Sequence, residues 1–281
     1  MQTMHLTSIG NWGKVPLIHA APTDGGPLTV RRFFLEREKI LSEKPRLTGP
    51  HVKHVRTVLR LKPGDELFLF DGKGSEYRAR IIESTPKSVI LSVAETFPST
   101  SESPAKITIG QGLLKARKMD GVVRQVTELG IHALIPVIAE RSVPKPESKR
   151  WTEKERRWKT IAGESLKQCG RSQTPRLSTP ISFEALVQAS EAYGHKIIFH
   201  GNDSEPAFTL RPDETESPGK VLALIGPEGG FSPDEIRMAV RFGFRCASLG
   251  PRVLKADTAV VAVCTILQYL YGDLGNAPKK P

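Results

Sequence analysis

The spacing of apolar positions changes period near residue 105 of this chain. Upstream, short runs alternate. Glu66 to Phe70 reads as a strand, Asp71-Gly-Lys-Gly74 as a hairpin loop and Ser75 to Glu83 as its partner, while Val89, Leu91 and Val93 mark a third strand. A short helix near Pro50 to Val58 and a turn at Lys62-Pro-Gly-Asp65 precede them. Tight turns between short strands predict a small barrel. Downstream, strand and helix periods alternate. The strands are Ile107 to Leu114, Ala133 to Ala139, Lys196 to His200, Val221 to Ile225 and Arg245 to Leu249. The helices are Arg117 to Leu129, Trp151 to Cys169, Phe183 to Tyr193, Pro233 to Phe242 and Thr258 to Tyr271. Met119, Val122, Val123, Val126 and Leu129 fall at helical spacing with Gly130 as the stop. The fold class expected is α/β with a mostly parallel sheet. Phe97-Pro-Ser-Thr-Ser-Glu-Ser-Pro104 has the composition of a linker between the two regions.

Ile225-Gly-Pro-Glu-Gly-Gly-Phe-Ser-Pro-Asp-Glu-Ile236 carries most of the chemical information. A buried strand runs into a glycine turn and then into a helix with Ser232 as N-cap, Pro233 at the first position and Glu235 closing an S-x-x-E capping box. Gly226, Gly229 and Gly230 admit positive φ or close approach of a ligand to the backbone. In an open α/β sheet, ligands bind beyond the carboxyl ends of the strands. Three such ends carry loop signals, at His200-Gly201, Gly226 to Gly230 and Gly250 to Lys255. Neither G-x-G-x-x-G nor G-x-x-x-x-G-K-[ST] occurs at these sites, and Glu228 within the turn would repel a phosphate. A cationic or neutral cofactor fits better.

Composition adds the partner. The 281 residues carry a formal net charge of +11 with 38% hydrophobic positions, which suits two globular domains. Residues 141 to 176 hold eleven Lys or Arg against four Glu, an excess taken here to exceed internal pairing and to favour nucleic acid, although pairs such as Glu153 with Arg157 would lace a solvated helix face. Trp151 and Trp158 on that helix read as packing residues. The three cysteines, Cys169, Cys246 and Cys264, lack metal or disulfide spacing and are expected reduced. With neither a secretory signal nor a membrane-length apolar run, the expectation is a cytoplasmic chain with no membrane and no metal. Residues 1–27 read as an extension.

Four segments in order, Val58-Leu-Arg-Leu-Lys-Pro-Gly-Asp65, Lys118-Met-Asp to Thr127-Glu-Leu-Gly130, Ile225-Gly-Pro-Glu-Gly-Gly-Phe-Ser and Ser248-Leu-Gly-Pro-Arg-Val-Leu254, resemble the RsmE family of 16S ribosomal RNA uridine N3-methyltransferases. The resemblance runs from about Arg31 to Leu274. It implies a PUA-like barrel over 28–100, a SPOUT methyltransferase domain with a trefoil knot over 105–275, a homodimer and S-adenosylmethionine as methyl donor. Carried over by position, the cofactor residues are Gly201, Ile225, Gly226, Gly230, Leu249, Gly250, Val253 and Leu254. Arg252 is the candidate for stabilising negative charge on the uracil, or else it pairs with Glu228 or Asp257. Glu228 and Asp257 are the candidate bases. Here Lys255-Ala-Asp257 stands where the family more often has Arg-Thr-Glu, which weakens transfer of a base role to Asp257. Lys115, Lys118 and Arg171, near the cleft, and Arg32, His54 and Arg60, in the barrel, are the candidate RNA contacts. His54 has an alternative reading as cover for the core beside Val55 and Val58. Two other functions remain open on the residues alone: the same fold acting on a transfer RNA or a ribose 2′-hydroxyl, and a non-catalytic RNA-binding assembly factor.

Overall fold

The computed structural model describes residues 31–143, 148–201 and 219–275, with side chains omitted at 148–150. The expected extension, 1–27, lies outside the described residues. The small region opens with β1 (Arg32–Phe34), α1 (Arg37–Ile40) and β2 (Arg46–Thr48), elements of three or four residues that show no periodicity in sequence. Next come α2 (Pro50–Lys53), running on as a π turn over His54–Val58, then β3 (Glu66–Phe70), β4 (Ser75–Ser84) and β5 (Ser88–Pro98). They form a curled sheet in the order β1-β3-β4-β5-β2. Alternation does the sorting: Leu67 and Leu69 of β3, Tyr77, Ala79 and Ile81 of β4, and Val89 and Leu91 of β5 fill one core with Leu47 and Val55. Register shifts in the β4–β5 ladder after Arg78 and Ile81 bend the sheet, as bulges do. The turn before β3 closes as expected: Gly64 takes φ +96° and the Lys62 amide donates to Asp65 Oδ2 at 2.7 Å.

The segment with linker composition is packed. β5 runs to Pro98, Phe97 pairs with Glu76, and the Ser99 amide donates to the Gly74 carbonyl at 3.0 Å. Glu102 then takes four donors, described below, and Ser103 Oγ donates to Gln268 at 2.7 Å.

The large region follows the alternating pattern: β6 (Lys106–Gly112), α3 (Lys118–Glu128), β7 (Ala133–Ile138), α4 (Ser148–Cys169), β8 (Arg176–Leu177), β9 (Ile181–Ser182), α5 (Phe183–Gln188) with a 3-10 turn over Ala189–Ala192, β10 (His195–Phe199), β11 (Lys220–Ile225), α6 (Pro233–Arg241), β12 (Arg245–Ala247) and α7 (Ala256–Tyr271). Every pairing in this sheet is parallel, in the order β12-β10-β11-β6-β7-β8, with β9 also on β7. Both faces are covered, so the strands are continuously apolar. Val221, Ala223 and Ile225 of β11 join the core under α3, α4 and α7, whereas Leu222 and Leu224 join the core under α5 and α6. The predicted stripe of α3 is buried at Met119, Val122, Val123 and Val126, and Gly130 ends the helix at φ +73°.

On α4, Trp158 is buried, packs edge-on against Trp151 at 5.0 Å, and donates its indole N–H to Asp120 at 3.1 Å. The expected Glu153–Arg157 pair does not form, because Arg157 turns to Asp120. Among the described residues, four of the segment's eleven cations are paired: Arg157 with Asp120 and Arg171 with Glu102, acids that lie outside it, and Lys159 with Glu155 and Lys167 with Glu164 within α4. The C-terminal half of α4 lies beside the small region. There burial, with the Lys167 cation close by, lowers the His51 pKa below the usual imidazole value. Cys246 and Cys264 are buried and Cys169 half-buried, all as free thiols. No helix among the described residues is long and apolar enough to cross a membrane.

Candidate active site

The three strand ends meet. The segments after β10, β11 and β12, with the first turn of α7 and Lys118 of α3, enclose a cavity of about 490 Å³. All eight residues expected to hold a cofactor line it, in company with Arg252 and Glu228. His200 lines it too, its amide donating to the Ala247 carbonyl at 3.1 Å, so that β10 and β12 are tied at the cavity edge.

The glycine turn is held by steric necessity. A Cβ on Gly226 would lie 2.9 Å from the Gly230 Cα, and one on Gly112 would lie 2.4 Å from the Pro227 nitrogen. Of the three turn glycines, only Gly230 has positive φ, at +68°; Gly226 is needed for close approach instead. The turn leads into the predicted capping box. Glu235 Oε2 accepts from the Ser232 amide at 2.8 Å, and Ser232 Oγ accepts from the Glu235 amide at 3.3 Å. The same Glu235 accepts the Glu140 amide at 2.9 Å, and Arg141 donates to the Gly229 carbonyl at 3.1 Å, which ties the turn to the end of β7.

Gln111, absent from the sequence reading, sits beneath this turn. Fully buried at the end of β6, it donates through Nε2 to the carbonyls of Gly112 and Gly226, both at 3.1 Å. A polar side chain in an apolar strand end is a signal that was available in the sequence.

Glu228 accepts the Lys118 amine at 2.9 Å and the Lys115 amide at 3.3 Å through the same oxygen. Burial pushes its carboxyl up, but these donors outweigh it and hold the pKa below the usual carboxylate value. The Glu228 hydrogen bond correspondingly raises Lys118. A carboxylate so held is an anchor for Lys118 more than a proton acceptor. Asp257 is not among the cavity-lining residues; it occupies the first turn of α7, where Oδ1 accepts the Thr258 amide at 3.2 Å. Arg252 is exposed at the cavity and forms no ion pair among the described residues, so the alternative pairing with Glu228 or Asp257 is not seen.

Two of the expected RNA contacts are corrected by their burial. The Arg171 side chain is 6% exposed and fully engaged: Nε and Nη2 reach Glu102 Oε2 at 3.1 and 2.8 Å, and Nη1 reaches the Thr127 carbonyl at 2.7 Å. The Arg32 side chain is 5% exposed, bonded to Glu76 at 2.9 Å and Ser172 at 2.7 Å, over the Phe70 ring. His54 and Arg60 are exposed, as are Lys115 and Lys118. His54 also lies edge-on to Phe33 at 5.6 Å, so its partial role in covering the core holds as well.

The cavity suits a sulfonium nucleoside. Glycine backbone at Gly226, Gly230 and Gly250 exposes main-chain polar groups, Ile225, Leu249 and Leu254 offer apolar cover, and the Glu228 carboxylate tolerates a cation.

Comparison with known proteins agrees with this geometry. A model of the RNA methyltransferase domain matches residues 101–268, and one of the RNA methyltransferase PUA domain matches 47–94. The class defined by fold and cavity is therefore that of the RNA methyltransferases. Similarity is high to Ribosomal RNA small subunit methyltransferase E of Bacillus subtilis (strain 168), 31% identical over 85% of this chain and 96% of the relative. A Legionella pneumophila methyltransferase structure in complex with bound SAM is 34% identical with a TM-score of 0.73, covering 87% of this chain and 99% of that one. The Neisseria gonorrhoeae Ribosomal RNA small subunit methyltransferase E, bound to S-adenosyl methionine, is 29% identical with a TM-score of 0.72, over 87% and 99%. The chain belongs to the ribosomal RNA small subunit methyltransferase E family.

Proposed function

We propose that this chain methylates N3 of a uracil in 16S ribosomal RNA, taking the methyl group from S-adenosylmethionine and working as a homodimer in the cytoplasm. The observation that carries the reading is the convergence of all eight cofactor positions on one cavity beside an exposed arginine. Gly201, Ile225, Gly226, Gly230, Leu249, Gly250, Val253 and Leu254 hold the cofactor. When bound, the cofactor supplies an electrophilic methyl on a sulfonium.

The other steps belong to the chain's own residues. Arg252 faces the uracil and opposes the negative charge that spreads to O2 and O4 as the N3 proton passes to solvent water at the mouth of the cavity. Glu228, kept ionised, fixes the Lys118 amine at the cavity wall, where it meets a phosphate or a carbonyl oxygen of the substrate. Asp257, at the head of α7, adds negative charge close to Lys118 and so steadies that amine. The cavity walls orient the reacting atoms, and orientation supplies much of the rate. The small region over 28–100 grips RNA through Arg60, His54 and neighbouring cations, and 105–275 performs the transfer. The reading includes the SPOUT-type trefoil knot, supported by a strand order in which β12 joins outside β10 before α7 returns to pack on β11 and α3.

Calorimetric titration of S-adenosylmethionine, followed by transfer to small-subunit ribosomal RNA and mass mapping of the modified nucleoside, tests this. 3-Methyluridine is expected. The absence of binding heat, or a methyl group found on a ribose, would overturn it.

A further inference from the structure

Arg32 and Arg171 are buried where the two regions meet, and they act on one short segment. The residues immediately after α4, Gly170 to Thr174, are gripped from three sides. From the hairpin tip, the Gly74 amide donates to the Ser172 carbonyl at 3.1 Å, Lys73 bridges to Gln173, and the Gly72 carbonyl accepts the Thr174 amide at 3.1 Å. From the segment leaving β5, Ser101 Oγ donates to the Gly170 carbonyl at 2.8 Å, and Glu102 Oε1 accepts the amides of Ser172 and Gln173, both at 2.8 Å. From β1, Arg32 donates to Ser172 Oγ, which itself donates to Glu76 at 2.6 Å; Ser99 reaches the same Glu76 oxygen at 2.8 Å.

This seam lies diagonally opposite the cavity. Gly170 to Thr174 lead into the start of β8 at one edge of the sheet, while the cavity lies beyond the ends of β10, β11 and β12. β8 is three strand spacings from β11, about 14 Å across the sheet. One element spans the diagonal. From Arg157 to its end at Cys169, α4 rises about 18 Å. Its C-terminus enters the seam, and farther up, Trp158 and Arg157 both hold Asp120 in the first turn of α3. That turn begins at Lys118, which pairs with Glu228 at the cavity.

We infer that the Arg32–Glu76–Ser172 and Arg171–Glu102 clusters are positioning groups that lock the small sheet to α4, so that the span from the small sheet to the cavity is fixed and decides which uridine along a bound RNA is methylated. The inference rests on the RNA-methylating function proposed above. Its physical basis is the kind of bond used. Apolar contact alone would hold the regions together but let them slide, because it lacks direction. A buried ion pair adds little net stability over an apolar pair of equal volume, yet its geometry is directional. Chain segments far apart in sequence converge here on Gly170 to Thr174, whose backbone takes bonds from Gly72, Gly74, Ser101 and Glu102 and whose Ser172 hydroxyl joins Arg32 to Glu76.

The test replaces the pair by apolar volume, Arg32→Met with Glu76→Met, in the full chain. Folding is expected to persist, with unchanged S-adenosylmethionine affinity. Ser172→Ala, which deletes one hydroxyl at the centre of the network, serves as the second variant if the first does not fold. Two measurements are made. Mapping of methyl groups on small-subunit ribosomal RNA should show transfer to the wild-type uridine reduced by about 100-fold, as for a misplaced reacting atom, with methyl groups now on neighbouring uridines. Distances between labels on the small sheet and on α7 should broaden. A folded variant that retains single-site methylation at full rate, with an unchanged distance distribution, overturns the inference. If the wild-type chain itself methylates no RNA, the function proposed above falls, and the label distances alone decide whether the seam fixes the span: broadening supports it and no change refutes it.

Discussion

Lys118 and Glu228 stand across one wall of the cavity, amine nitrogen to carboxylate oxygen at 2.9 Å, and each shifts the other toward its charged form. The pair joins α3 to the glycine turn after β11, and the Lys115 amide adds a second bond to the same oxygen. The cation that starts α3 is therefore placed by the glycine turn that lines the cavity.

The sign of the pH dependence follows. Glu228 has a folded-state pKa below its ordinary value of 4.5, so what the pair contributes is present above that value and lost as pH falls through the lower, folded one. Cofactor affinity should stay level as pH drops from about 8 to about 5 and decline only in stronger acid. Glu228→Gln should remove that acid decline. Calorimetry across pH checks both, and a decline already complete near neutral pH would contradict them.

Arg252 has no competing carboxylate among the described residues, so its side chain is available to the substrate. Arg252→Ala should lower kcat by about 100-fold or more, the scale of one lost donor to a developing oxyanion. S-adenosylmethionine binding should change little. Single-turnover kinetics with calorimetry separate the two effects, and unchanged turnover would remove the assigned role.

Gln111→Leu keeps the volume but leaves the carbonyls of Gly112 and Gly226 without their buried donor. The buried Gly112 carbonyl, left without this donor, costs about 1–3 kcal/mol, so the melting temperature should fall. Cofactor affinity should weaken by about tenfold, because 1.4 kcal/mol spent on reordering the turn corresponds to that factor. RNA affinity measured without cofactor should not move.

Pairing within α4 leaves fewer cations for RNA than the raw charge suggests, and the exposed ones of the small region then matter more. RNA affinity should fall steeply with salt. Arg60→Gln should reduce the slope of log affinity against log salt by about 0.7–0.9, the value of one phosphate contact. Filter binding over a salt series reads this, and an unchanged slope would show that Arg60 touches no phosphate.

Sequence was most informative where one local rule decides the outcome. β3 has its expected bounds, the capping box after Ser232 forms as written, and α3 buries its predicted stripe, because alternation, side-chain capping and helical spacing act within a few residues. The three loops that meet at the cavity were legible for a related reason, because glycine turns at strand ends announce themselves, whereas the eight individual positions came from the family resemblance. Arg32 and Arg171 were misread because residue type shows charge but not its partner, and their carboxylates lie 44 and 69 residues away. β1 and β2 are too short to carry a period. The stretch from Phe97 to Pro104 has a loop composition, yet its hydroxyls and Glu102 find partners that only the folded chain brings near.

β11 sends successive side chains into two different cores, one beneath α7 and the other beneath α6. Damage to either layer therefore reaches the same backbone, and the floor from which the glycine turn springs cannot loosen by half. Amide protons along Val221 to Ile225 should be among the last in the molecule to exchange with solvent, opening only when the whole domain does.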